Sequence, residues 1–183
     1  MRTAVLETGS KAIWESTVTH PKNVQYTVKL HTTGGRDAGK SCSDDGRLDI
    51  QLSVPGTSGT GTNPEQLLAA GWSACFISSI KIVAGQRNAA LPVDLAVDVD
   101  VDLCRNIGGY FLQARIDIIL PRMEYELALK LTQEAHLMCP YSKATCGNIA
   151  VALEVFTDPN KIDARASEAR TRPVTNQSSA RVG

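Results

Sequence analysis

Two cysteines stand out by position. Cys75 falls in the middle of an apolar stretch dense in small residues, Ala69, Ala70, Gly71, Ser73, Ala74, Ser78 and Ser79. Cys139 falls where an amphipathic segment must stop, directly before Pro140. A protected thiol can ionise, attack an electrophile and form a disulfide. It can also be no more than a small core residue, and buried cysteines are structural more often than reactive. The two do not form a C-x-x-C, so any pairing between them depends on tertiary structure.

Other clusters carry less chemistry. Asp94, Asp98, Asp100 and Asp102 alternate with apolar residues and read as the solvated face of a strand rather than a metal site. His136, Cys139 and Cys146 match no standard zinc spacing. The Pro55–Gly61 stretch fits neither a Walker A motif nor a dinucleotide glycine fingerprint, so no phosphate is expected there. Cys42 and Cys104 read as bystanders, and His20 and His31 carry no pattern.

The elements that must position the cysteines follow from local rules. Asn63 is a good N-cap, Pro64 suits the first helical position, and Gln66 is placed to complete a capping box. The helix they start runs past Cys75 to a stop near Gly85. A helix this long and this poor in charge is expected to be wrapped by other structure. Val24, Tyr26, Val28, Leu30 and Thr32 alternate with polar residues as a half-buried strand that ends at the Gly34-Gly35-Arg36-Asp37 turn. Leu48, Ile50 and Leu52 mark a second strand. Val93 to Leu103 and Tyr110 to Leu120 form a hairpin about Asn106–Gly109. Met123, Leu127, Leu131, Ala135 and Met138 mark a second helix, and Ile149, Val151, Leu153 and Val155 a last strand.

That order predicts an α+β domain, with antiparallel β-sheets wrapped around two central helices. An N-terminal arm is expected over residues 1–22, the domain over 23–156, and a polar tail without structure over 157–183. The 183 residues carry 19 basic and 19 acidic side chains, which leaves no electrostatic footprint for nucleic acid or an anionic membrane. No run approaches the ~18 apolar residues that span a bilayer, and no signal or transit peptide is evident. Five cysteines without a secretory signal predict thiols in a reducing compartment, here the cytoplasm.

Three motifs together resemble a known family. Thr62-Asn63-Pro64-Glu65-Gln66 leading to Ala74-Cys75-Phe76, with His136-x-x-Cys139-Pro140-Tyr141-Ser142-x-Ala144-Thr145-x-Gly147-Asn148, resembles the OsmC-like superfamily. The Gly34-Gly35-Arg36-Asp37 turn and the Cys-Pro-Tyr-Ser element resemble its organic hydroperoxide resistance branch. The resemblance implies a thiol peroxidase that reduces organic hydroperoxides to alcohols. By position it implies Cys75 as the peroxidatic cysteine, Cys139 as the resolving one, and Arg36 with Glu65 as the pair that organises the thiolate. It also implies a disulfide recycled by a dithiol on a lipoylated protein, an intertwined homodimer, and no metal or organic cofactor. Cys146 departs from the pattern, which usually has arginine there.

The implied roles set a geometric condition. Burial raises the pKa of a thiol, so a cation is required, and Arg36 is suited because it stays charged. Glu65 beside a thiolate would oppose ionisation, so its role is to hold Arg36; taken alone it reads as a first-turn acid favoured by the helix dipole. Glu65 and Cys75 are ten residues apart, about 15 Å along a straight helix. Either the helix breaks near Gly71, or Arg36 and Glu65 serve Cys75 of a second subunit, which is the favoured reading. Two rival functions remain: a general OsmC-type peroxidase with another substrate range and reductant, and a redox sensor that oxidises without turnover.

Overall fold

The computed structural model describes residues 23–171. The expected N-terminal arm over 1–22 and the end of the tail, 172–183, lie outside the described residues. The described elements are β1 (Leu30–Thr33), α1 (Gly35–Ala38), β2 (Lys40–Ser43), β3 (Asp49–Gln51), α2 (Pro64–Gln86), β4 (Ala96–Asn106), β5 (Gly109–Ile119), α3 (Tyr125–Met138), α4 (Pro140–Thr145), β6 (Ala150–Phe156) and α5 (Pro159–Thr171). The fold is α+β, with two three-stranded sheets, β1-β2-β3 and β4-β5-β6.

Helix α2 starts where its cap residues place it. Asn63 Oδ1 accepts from the Gln66 backbone N–H at 2.9 Å, and Pro64 takes the first position. The Gln66 side chain does not close the expected box; its Oε1 accepts the Thr62 hydroxyl at 2.7 Å instead. Trp72, Phe76, Ile80 and Val83 recur at helical spacing and are buried in the core. By length and composition α2 is apolar enough to cross a membrane, contrary to the expectation that no run approaches that length. Its apolar residues are nonetheless those of a core helix on this face, packed against β4 and α3.

The larger sheet supplies the opposing wall. A two-residue turn, Ile107-Gly108, joins β4 to β5, and Gly109 has φ 110, the left-handed region that favours glycine. Val97 pairs across from Ile118 and Val99 from Ile116, on the face turned to the core. The other face carries the aspartates: the Arg115 guanidinium bridges Asp100 and Asp102, and Arg122 reaches Asp94 at 2.7 Å. Strand β6 runs parallel to β5, so this sheet is mixed rather than antiparallel as expected. The crossover through α3 and α4 returns the chain in the direction of β5.

The small sheet differs more from expectation. Only the end of the predicted Val24–Thr32 strand is in the sheet, and β2 lies between the two strands that the sequence indicates. Among residues 30–51 the buried ones are Gly39, Ser41 and Ser43, so this sheet has no apolar core of its own. Val24, Tyr26, Val28 and Leu30 remain 64%, 74%, 48% and 47% exposed, an alternating apolar row left open among the described residues. The described residues do not show the expected wrapping of sheets around both helices.

The segment expected to be a polar tail begins with a helix, α5. Asp158 accepts from the Asn160 N–H at 2.9 Å at its start. Arg165 then pairs with the buried Asp117 carboxylate of β5 and lies 5.2 Å from the Phe156 ring centre. Among the described residues, this charged contact and the ring beneath it tie a helix poor in apolar residues to the sheet.

Candidate active site

The Cys75 and Cys139 sulfurs face each other. Cys139 Sγ donates to Cys75 Sγ at 3.3 Å, across 64 positions of chain. Cys139 is fully buried and Cys75 partly so. Pro140 forces the break that puts Cys139 there. Residue 139 has φ −59 and ψ 121, outside helical geometry, while its N–H still bonds to Ala135 O and its C=O receives the Lys143 N–H. Cys139 thus ends α3 and begins α4. The end of α3 and the start of α4 therefore act on its sulfur in opposite senses.

Two contacts seat α4 on α2. The Trp72 indole Nε1–H donates to Ser142 Oγ at 3.1 Å, with both groups buried. The Tyr141 ring lies against Gly71, where a Cβ would stand 2.5 Å from the Tyr141 hydroxyl oxygen and 2.9 Å from its Cζ. Gly71 therefore gives room to a ring, and α2 passes through it unbroken. The sequence alone assigns no chemical role to Trp72, Tyr141 or Ser142, although the last two belong to the Cys-Pro-Tyr-Ser element. The available signal was their spacing, with Trp72 three residues before Cys75 and Ser142 three after Cys139.

Among the described residues, the Cys75 thiol is influenced by burial and by two neighbours. Burial pushes its thiol above the ordinary value, the Tyr141 backbone N–H pulls it down, and the adjoining Cys139 thiol adds to the rise. No cation is among these influences. Arg36 sits in the short turn after Gly34 and Gly35, whose φ values of 69 and 61 need glycine, and its guanidinium is 4.0 Å from Glu65 Oε1. Glu65 Oε2 is buried and has no hydrogen-bond partner among the described residues. The four candidate residues thus fall into two pairs, Arg36–Glu65 at the start of α2 and Cys75–Cys139 at its middle. Ten residues of unbroken helix, about 15 Å, separate Glu65 from Cys75.

Three other residues complete the surroundings. His136, one turn before Cys139, packs its ring 6.2 Å from that of Phe76. Its Nδ1 is buried without a partner among the described residues, and burial lowers its pKa so that the neutral imidazole is favoured at neutral pH. Cys146 is exposed at the end of α4. Among the described residues no group of three or more His, Cys, Asp or Glu side chains is arranged to hold a metal ion.

Comparison with known proteins gives a consistent result. The profile of the family described as OsmC-like protein matches residues 56–154. The organic hydroperoxide resistance protein of Xanthomonas axonopodis pv. citri is 43% identical over 137 residues, covering 73% of this chain and 96% of its own. The crystal structure of the organic hydroperoxide resistance protein OhrB of Bacillus subtilis superposes with a TM-score of 0.68 at 38% identity, covering 73% of this chain and 100% of that one. The crystal structure of an organic hydroperoxide resistance protein OsmC from Legionella pneumophila gives a TM-score of 0.68 at 36% identity, covering 73% of this chain and 98% of that one.

Proposed function

The chain belongs to the OsmC-like family, in its organic hydroperoxide resistance branch, and we propose that it is a cysteine-based peroxidase reducing organic hydroperoxides to alcohols. The observation that carries this reading is the 3.3 Å approach of Cys75 and Cys139 in a protected setting. The Cys75 thiolate attacks the distal peroxide oxygen. The O–O bond breaks, the sulfur becomes a sulfenic acid, and the leaving alkoxide takes a proton to give the alcohol. The Cys139 thiol then attacks that sulfur, forming the disulfide and releasing water. A dithiol returns both sulfurs by exchange; a lipoyl dithiol on a partner protein is the reductant we infer, and the reducing cytoplasm the compartment.

Ionisation is only part of the rate. A thiol a few per cent ionised at neutral pH gains about 30-fold on full ionisation, roughly 2 kcal/mol. The remainder must come from orienting the peroxide and stabilising charge on the leaving oxygen, which a guanidinium does well. Arg36 is that group in our reading, held by Glu65, and it comes from a second copy of the chain. Three features support an active site shared across a homodimer. Helix α2 is continuous, so one chain cannot bring its own Arg36–Glu65 pair to its own Cys75 along that helix. Glu65 Oε2 is buried and unpartnered among the described residues. The apolar row Val24, Tyr26, Val28 and Leu30 has no cover among the described residues, and a second copy would give one.

Steady-state consumption of an alkyl hydroperoxide with dihydrolipoamide tests the function. Repeated turnover that disappears in Cys75→Ser is the expected result. A single stoichiometric oxidation would instead identify a sensor.

A further inference from the structure

We propose that Trp72 and Ser142 are a positioning pair that sets how fast Cys139 closes on Cys75. The inference rests on the reading that Cys139 resolves Cys75. Their hydrogen bond, 3.1 Å from indole Nε1–H to Ser142 Oγ, joins the same two elements as the sulfur contact. Trp72 lies three residues before Cys75 on α2, and Ser142 three after Cys139 in the first turns of α4. Neither can shift easily. The indole is fully buried, Ser142 is 2% exposed, and the Ser142 carbonyl is fixed by the Cys146 N–H at 3.0 Å and the Thr145 hydroxyl at 3.1 Å.

Closure requires the sulfurs to pass from 3.3 Å to a bond of about 2.05 Å, in line with the group leaving Cys75. A hydrogen bond running beside that path holds α4 on α2 during the attack and keeps the thiol in a reactive alignment. Removing either partner leaves a polar group buried or frees α4 to drift, and both change the alignment rather than the chemistry of either sulfur.

The test uses the full chain with Cys42, Cys104 and Cys146 replaced by serine. Ellman's reagent converts Cys75 to its mixed disulfide with thionitrobenzoate, releasing one coloured thiolate. Attack by the Cys139 thiolate then breaks that bond, forms the Cys75–Cys139 disulfide and expels the second thiolate with the electron pair. The rate of the second release reads closure without any peroxide. Ser142→Ala and Trp72→Phe are each expected to slow it about tenfold, the effect of one lost buried hydrogen bond, while the first release changes less than about twofold. The double variant is expected to be no slower than either single one. Unchanged second release in both variants overturns the proposal, as do effects that multiply in the double variant. A parent that releases only one thiolate overturns it as well. A parent that ignores alkyl hydroperoxides but shows coupled slowing of closure refutes the peroxidase and leaves the pair in place.

Discussion

The Tyr141 ring occupies the space that any side chain at Gly71 would need: a Cβ there would lie 2.5 Å from the tyrosine hydroxyl oxygen and 3.3 Å from Cε1. The same Tyr141 offers its backbone N–H to the Cys75 sulfur, against the rise in pKa that burial causes. A glycine inside a helix is ordinarily a cost of about 1 kcal/mol relative to alanine. Here it is the condition for seating α4. Gly71→Ala is therefore expected to destabilise the protein by about 1–3 kcal/mol despite the better helix propensity, and to slow hydroperoxide turnover. Thermal unfolding and steady-state kinetics check this; a stabilised variant with parental turnover would remove Tyr141 from the account.

Mixing two inactive chains tests the shared site. Arg36→Ala keeps Cys75, and Cys75→Ser keeps Arg36. If Arg36 serves the partner's cysteine, a mixed dimer holds one complete site and one doubly defective site. A one-to-one mixture re-equilibrated through mild denaturant is expected to regain about a quarter of parental activity, since about half its dimers are mixed. No recovery would place Arg36 and Cys75 in the same chain's site.

His136 makes stability depend on pH in a definite direction. Its folded-state pKa lies below the ordinary 6.5 because burial disfavours the charged form. The folded state thus binds fewer protons than the unfolded one. The contribution is fully present above about 6.5 and is lost as pH falls from there through the folded value. Replacing His136 by phenylalanine is expected to flatten the loss of stability between pH 7 and pH 5 relative to the parent. Denaturant midpoints at the two pH values measure it. An equal loss in both proteins would show that His136 does not titrate in the fold.

Much of the frame is legible in the sequence. The Asn63 cap, the β4–β5 hairpin and the end of α3 before Pro140 are set by local sequence rules, and they fall where those rules place them. What escaped depends on partners distant in sequence. Strand β2 holds Lys40, Ser41, Cys42 and Ser43 and shows no apolar alternation, because the side chains it buries are the polar Ser41 and Ser43, between two bonded neighbours. The parallel setting of β6 follows from the path of α3 and α4, which periodicity within β6 does not encode. Helix α5 rests on Arg165 meeting Asp117 across 48 positions, in a segment that looks too polar to fold alone.

The site was legible only in pieces. Residue types alone left Cys75 and Cys139 as core residues or as a pair, and it was the family resemblance that joined them. Gly71 read as a place for α2 to break, because a helical glycine without visible neighbours suggests flexibility; the neighbour is Tyr141, 70 residues away. The Trp72–Ser142 bond spans the same distance and left no trace in either local pattern.

If an organic hydroperoxide oxidises Cys75 and Cys139 closes on it, the two sulfurs end in one disulfide. Peptide mapping by mass spectrometry, after one equivalent of an alkyl hydroperoxide under non-reducing conditions, tests it most directly. The expected result is one bridged pair, the Cys75 peptide joined to the Cys139 peptide, with Cys146 still alkylatable. A bridge from Cys146 to either of them, or a reduced Cys75 beside consumed peroxide, would contradict it.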